Sequence, residues 1–314
     1  MILTSRHLAA SAAIALTWGV VACGSEQPDQ SQPAAGGTAT AEPCPTAPID
    51  VVVSVDQWGD IVSELGGACT KVKTVLASSS VDPHAYEPSP ADAVAFAGAK
   101  LIVLNGADYD HWAADLAATS APAAPVVDAA KVTNTPEGAN PHLWYRPTAV
   151  NAVSDAVAAE LSKLDPQSAS YFAGRRSAFT TALNPYTGLI DEIKAGASGK
   201  SYAATESVFD YQAQALGLVD RTPNGYQQAA ANESEPSPAD IEAFRSALAE
   251  HQVDVLIYNT QTEGSIPAQI RSAAEQAGVP VVEVTETIPP GQDSFVGWQD
   301  AQLSALAKAL GVNA

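Results

Sequence analysis

The 314-residue chain carries 35 acidic and 15 basic side chains, a formal net charge of −20, with 46% hydrophobic and only 16% charged residues. That length suits two ordinary domains or one large one, and the apolar content is enough for a full core. A balance this acidic excludes nucleic acid, whose phosphates need a basic surface, and suits an exported protein or one that handles cations.

The N-terminus pairs Arg6 and His7 with an apolar run from Leu8 to Ala22 that ends at Cys23. The run, about 15 residues, is too short and wrongly flanked for a spanning helix and reads as a secretory signal over 1–22. Val20-Val21-Ala22-Cys23-Gly24 resembles a bacterial lipobox, which implies a lipidated Cys23 holding the chain on the outer face of the cell membrane. The alternative is an ordinary signal with a chance cysteine. Residues 23–48 are Gln, Pro, Ala, Gly, Thr and Ser with almost no large apolar side chain, so a flexible tether is expected there. Cys44 and Cys69 each precede a β-branched run, and adjacent parallel strands would bring them into bridging range; two free thiols are the alternative.

From residue 49 the pattern alternates. IDVVVSV predicts a strand, and DQWGDIVSELGG a helix with Trp58, Ile61, Val62 and Leu65 on one face and a Gly-Gly stop. KVKTVLA, KLIVLNG and APVVDA predict further strands. SPADAVAFAGA is a helix capped by Ser89, and DHWAADLAAT and RPTAVNAVSDAVAAELSKL are two more. A second set starts near Lys200: strands at KSYAATES, VDVLIYN and VPVVEVT, and helices at FDYQAQALG, SPADIEAFRSALAEHQ, IPAQIRSAAEQAG and WQDAQLSALAKALG. Between the sets, Tyr171, Phe172, Phe179, Leu183, Tyr186, Leu189, Ile190 and Ile193 recur at helical spacing, with Pro185 expected to kink the helix. The expected class is α/β: an N-terminal lobe over 49–166, one long linking helix over 167–197 and a C-terminal lobe over 198–314. Each lobe is a mostly parallel sheet flanked by helices.

In such folds ligands bind beyond the C-terminal ends of the strands. His84, His142, Glu206 and Glu286 each follow a predicted strand, two in each lobe, and two imidazoles with two carboxylates suit a divalent transition metal. Each has a plainer explanation, a surface or turn histidine or an acid at a helix start. Against it, both histidines occur as X-Pro-His, in DPHAYEPSP and NPHLWYRP, where proline stiffens the loop. Asp293 in TIPPGQDSF rivals Glu286 for the fourth position. His111 is expected near the cleft mouth and Glu87 as a supporting or capping acid.

At VDPHAYEPSP, NGADYDHW, NPHLWY, NESEPSPADI, YNTQTEGSIPAQIRSAAEQAGVPVVEVTET and GWQDAQLSAL the chain resembles the metal-specific class of ABC-transporter substrate-binding proteins, the zinc and manganese binders. The resemblance runs from about residue 49 to the C-terminus. It implies two α/β lobes joined by a rigid helix, with a metal cleft between them. It places His84 and His142 as the N-lobe ligands, Glu206 at the position that is His in many zinc binders and Glu in manganese binders, and Glu286 at the final acidic position, usually Asp. Two departures leave Zn2+ and Mn2+ both open as the carried ligand: DAAKVTNTPEGAN lacks the histidines of many zinc importers, and Glu286 is one methylene longer than Asp.

The expected role is therefore capture of a divalent metal outside the membrane and delivery to an ABC permease driven by its ATPase. A monomer is expected, and no catalysis. A metal-dependent hydrolase on the same ligands is the rival, but no H-E-x-x-H or G-x-S-x-G motif is present. A surface adhesin is the third option, and nothing resembling a repeat favours it.

Overall fold

The computed structural model describes residues 43–77, 86–232, 234–262 and 264–313. The signal segment, Cys23, most of the tether and His84 lie outside the described residues.

The N-lobe runs β1 (Ile49–Val55), α1 (Asp56–Gly66), β2 (Thr70–Leu76), α2 (Pro90–Gly98), β3 (Leu101–Leu104), α3 (His111–Ser120), β4 (Val126–Asp128), α4 (Ala129–Val132) and α5 (Pro147–Leu164). The sheet is parallel throughout, in the order β2-β1-β3-β4. The order explains the composition of its strands. Inner β1, covered on both faces, is a nearly continuous buried Val run. Edge strand β2 is half exposed and carries Lys71 and Lys73, charges that discourage further strand pairing.

The C-lobe repeats the plan: β5 (Ser201–Ala204), α8 (Asp210–Leu216), β6 (Val219–Asp220), α9 (Asn224–Ala231), α10 (Pro238–Ala249), β7 (Val255–Asn259), α11 (Ser265–Ala277), β8 (Val281–Val284) and α12 (Phe295–Ala309). Its order, β6-β5-β7-β8, is again fully parallel. In each lobe the chain leaves the first strand to one side and then crosses to the other. The loops after the first and third strands therefore part and open a crevice at their C-terminal ends.

Both Ser-Pro-Ala-Asp segments form capping boxes, Ser89 with Asp92 on α2 and Ser237 with Asp240 on α10. The predicted face of α1 is buried, with Trp58, Ile61 and Leu65 fully so.

The linking segment differs from one unbroken helix. It forms α6 (Ala169–Ala182) and α7 (Asn184–Ala197), separated at Leu183. Pro185 has no N–H for the carbonyl of Thr181. Leu183 nevertheless keeps right-handed helical dihedrals, and its N–H and carbonyl still bond Phe179 O and Thr187 N. The interruption is confined to one residue. Tyr171, Phe172, Phe179, Leu183, Tyr186, Ile190 and Ile193 are all buried, so the segment packs along its length. Arg175 fastens α6 to α1 through Glu64, and Tyr171 takes the N–H of Ala68.

The end of the segment expected as a free tether is likewise fastened. Cys44 and Cys69 form a disulfide with a Cα–Cα distance of 4.9 Å, and Thr46 hydrogen-bonds Asp165 and Ser168.

One apolar cluster spans both lobes. Tyr145 sits at the seam, its ring 5.5 Å from Phe209 and 5.7 Å from Trp298, and its hydroxyl donates to Thr285 O and is paired with Gln302 Oε1.

Candidate metal centre

Three of the expected residues meet where the two crevices face each other. One donor atom from each of His142, Glu206 and Glu286 lies within 4.8 Å of the others. His142 comes from the loop between α4 and α5, Glu206 lies two residues past the end of β5, and Glu286 two past the end of β8.

His142 is buried, and its tautomer follows from its neighbours. The Nδ2 of Asn140 donates to Ser207 O at 2.7 Å, which fixes the amide's orientation. Asn140 Oδ1 then accepts the backbone N–H of His142 at 3.0 Å and faces its Nδ1 at 2.8 Å, so Nδ1 carries the proton. The lone pair is left on Nε2, which is buried, has no hydrogen-bond partner among the described residues and lies 3.8 Å from Glu286 Oε2. A buried acceptor aimed at carboxylate oxygens is a poor arrangement for a structural histidine and a good one for a metal ligand. Asn140 belongs to the N-lobe, yet it contacts Ser207 and accepts at its carbonyl from Tyr211 Oη at 2.9 Å, both in the C-lobe.

The two carboxylates are close enough to share a donor. Asn259, at the end of β7 and 1% exposed, gives its Nδ2 to Glu206 Oε2 at 2.7 Å and to Glu286 Oε1 at 3.0 Å. Thr262 Oγ1 also donates to Glu206 Oε2. Tyr109 reaches across from the N-lobe to donate to Glu286 Oε2 at 3.2 Å. Gln261 Oε1 accepts the N–H groups of Glu286 and Thr287 and so sets the loop after β8.

Burial first, and the charge of Glu286 second, push the Glu206 carboxyl above the ordinary carboxylate range; His142, Thr262 and Asn259 oppose this. Burial, then Glu286, pushes the Tyr109 phenol well above its usual range, so it stays a donor. The cluster thus sets an imidazole lone pair beside two half-buried carboxylates that repel each other, a donor set that suits a divalent cation. Donors about 2.1 Å from a tetrahedral metal stand about 3.4 Å apart, close to the 3.8 Å between His142 Nε2 and Glu286 Oε2.

Asp293 and Glu87 are exposed and do not join the cluster, and His111 is exposed at the start of α3. The acid brought in after β8 is Glu286. His84 lies outside the described residues. Asn140, Tyr109, Asn259, Thr262 and Gln261 were not singled out in the sequence. The one available signal was position, since Asn105 and Asn259 stand at the C-terminal ends of the equivalent strands β3 and β7 and both are buried.

Residues 51–309 match the family described as zinc-uptake complex component A, periplasmic. The chain is 24% identical over 246 residues to the high-affinity zinc uptake system protein ZnuA of Bacillus subtilis (strain 168), covering 72% of this chain and 76% of that one. It is 25% identical over 252 residues to the manganese-binding lipoprotein MntA of the same organism, covering 76% and 80%. The solved structure of the periplasmic zinc binding protein TroA from Treponema pallidum superposes with a TM-score of 0.70 at 19% identity, covering 84% of this chain and 99% of that one.

Proposed function

Because the chain belongs to the zinc-uptake complex component A family, we propose that it is the extracytoplasmic solute-binding protein of a metal ABC importer. It captures a divalent zinc or manganese ion between its lobes and hands it to a membrane permease coupled to an intracellular ATPase. The matched family is one of uptake components and not of enzymes.

The observation that carries this role is the trio of buried His142 and half-buried Glu206 and Glu286, drawn from both lobes, with a histidine Nε2 that has no hydrogen-bond partner among the described residues. His142 Nε2 and one oxygen from each glutamate supply three donors. His84 is the proposed fourth, supported by its X-Pro-His setting after β2 and by the family resemblance. The proposed anchor is a lipid on Cys23, which would hold the protein, as a monomer, on the outer face of the cell membrane near its permease. The lipoprotein description of the relative MntA supports the anchor.

Titration of the metal-stripped protein with zinc and with manganese tests the role. One ion should bind per chain, and His142→Ala and His84→Ala should each weaken binding about 100-fold or more, beyond the 10–100-fold typical of residues that only support a ligand. Unchanged affinity in both variants would sink the assignment.

A further inference from the structure

We propose that the cavity beside Glu206 in the C-lobe is the passage by which a hydrated divalent cation reaches and leaves the cluster, with Glu206 the first ligand it meets. The inference rests on the metal-binding role given above and goes on to say how the ion gets in.

The three residues of the cluster are not equally enclosed. His142 is 3% exposed, and around it and Glu286 the lobes are laced together. Asn140 donates to Ser207 O and accepts from the Tyr211 hydroxyl, Tyr109 donates to Glu286, and Tyr145 donates to Thr285 O. An ion that entered here by parting the lobes would break these bonds and open the shared core. Glu206 instead stands at the wall of a cavity of about 340 Å3. The cavity lies between α9, the loop before α10 and the start of α11. Every residue that lines it belongs to the C-lobe, so a route through it leaves the contacts between the lobes intact.

Its size and charge suit a hydrated ion. Water takes about 30 Å3 per molecule in the liquid, so an ion with six waters needs about 200 Å3. The cavity exceeds that. Glu206 also borders a second cavity, on the side of Asp210, of only about 10 Å3, room for one water at most. The larger cavity is lined by the carboxylates of Glu206 and Glu235 and by no basic side chain, which raises the local concentration of cations. Tyr226, 3% exposed, and Thr262 add hydroxyl groups to its wall. Burial first and the charge of Glu206 second push the Tyr226 phenol up to about 12, so it lines the wall as a neutral hydroxyl. The positive end of the α11 dipole borders the cavity as well and opposes a cation. The acids draw the ion in and the helix end keeps it from resting there, so it moves on to the cluster, where His142 and Glu286 add to Glu206.

Stopped-flow mixing of the metal-stripped protein with zinc, followed by release into excess chelator, tests the passage. Ala230→Phe and Ser265→Phe each put a ring into the cavity, one from α9 and one from α11. An obstacle on the path changes both rates alike and leaves the equilibrium alone. Each variant should therefore slow zinc association and release together, by about tenfold, with Kd within about twofold of wild type. Glu235→Gln should slow association in low salt and lose that effect at about 0.5 M salt. If wild type binds no zinc, the metal-binding role fails and the passage with it. If wild type binds zinc and both Phe variants keep its association and release rates, the passage is wrong. It is equally wrong if the rates change only as Kd changes, because the substitutions then act on the cluster itself. Should one Phe variant not fold, the other decides.

Discussion

Asn140 shows how one side chain can set the orientation of another. Its amide oxygen takes two donors from His142 while its nitrogen and carbonyl engage Ser207 and Tyr211 in the other lobe. It therefore fixes the imidazole tautomer and ties that imidazole to the lobe that carries the glutamates. Losing such a partner typically weakens metal binding 10–100-fold. Asn140→Ala should show that loss in zinc titrations with His142 still in place, and Asn140→Asp, which keeps the acceptor, should recover part of it. At this scale the sequence was legible for the three residues that cluster and not for the side chains that hold them. His142, Glu206 and Glu286 stand out as polar residues just past strands. Nothing local marks Asn259, whose partners are 53 and 27 residues away. Tyr109 is 177 residues from Glu286, and its role exists only once the lobes are assembled.

Helix α1 and the loop between β8 and α12 form the element-scale counterpart. Asp60 of α1 accepts the N–H of Phe295 at 2.8 Å, and Asp56 accepts that of Ile288, so two N-lobe acids grip the loop that carries Glu286. Burial, the largest cause, pushes the Asp56 carboxyl up to about 7 from 3.8. A carboxyl raised in the folded state stabilises the fold while protonated, fully below its unfolded value, and this contribution is lost as pH rises through about 7. The difference corresponds to about 4 kcal/mol. Denaturant unfolding should therefore show Asp56→Asn gaining about 4 kcal/mol relative to wild type between about pH 4 and pH 8; parallel pH profiles would contradict this. Elements with local signals were readable in advance. Both Ser-Pro-Ala-Asp boxes start helices, and Pro185 marks the break between α6 and α7. Two-residue β6 and α9, with Tyr226 as its one buried side chain, carry too little pattern to register and are defined by packing.

For the whole molecule, the decisive feature is that the larger apolar cluster is shared by the two lobes, while a smaller one around Phe244, Leu248 and Ile270 belongs to the C-terminal lobe alone. The apolar cluster runs through the seam at Tyr145, Phe209, Phe295 and Trp298, and Tyr145 also bonds Thr285 and Gln302 across it. The linking helices are buried along one face and pinned to α1 by Arg175 and Tyr171. Wide hinge opening would expose this core, at a cost of about 25 cal/mol per Å2. Small-angle scattering should give the same radius of gyration with and without zinc; a clear compaction on binding would show a hinge that this packing forbids.

The central claim is that one metal ion sits between the lobes on His142, Glu206 and Glu286. Anomalous diffraction from crystals of the zinc-loaded protein, collected at the zinc edge, tests it most directly. One peak should lie about 2.0–2.2 Å from His142 Nε2 and from one oxygen of each glutamate. A well-loaded crystal with its peak elsewhere, or with none of these three atoms in contact with the ion, would contradict it.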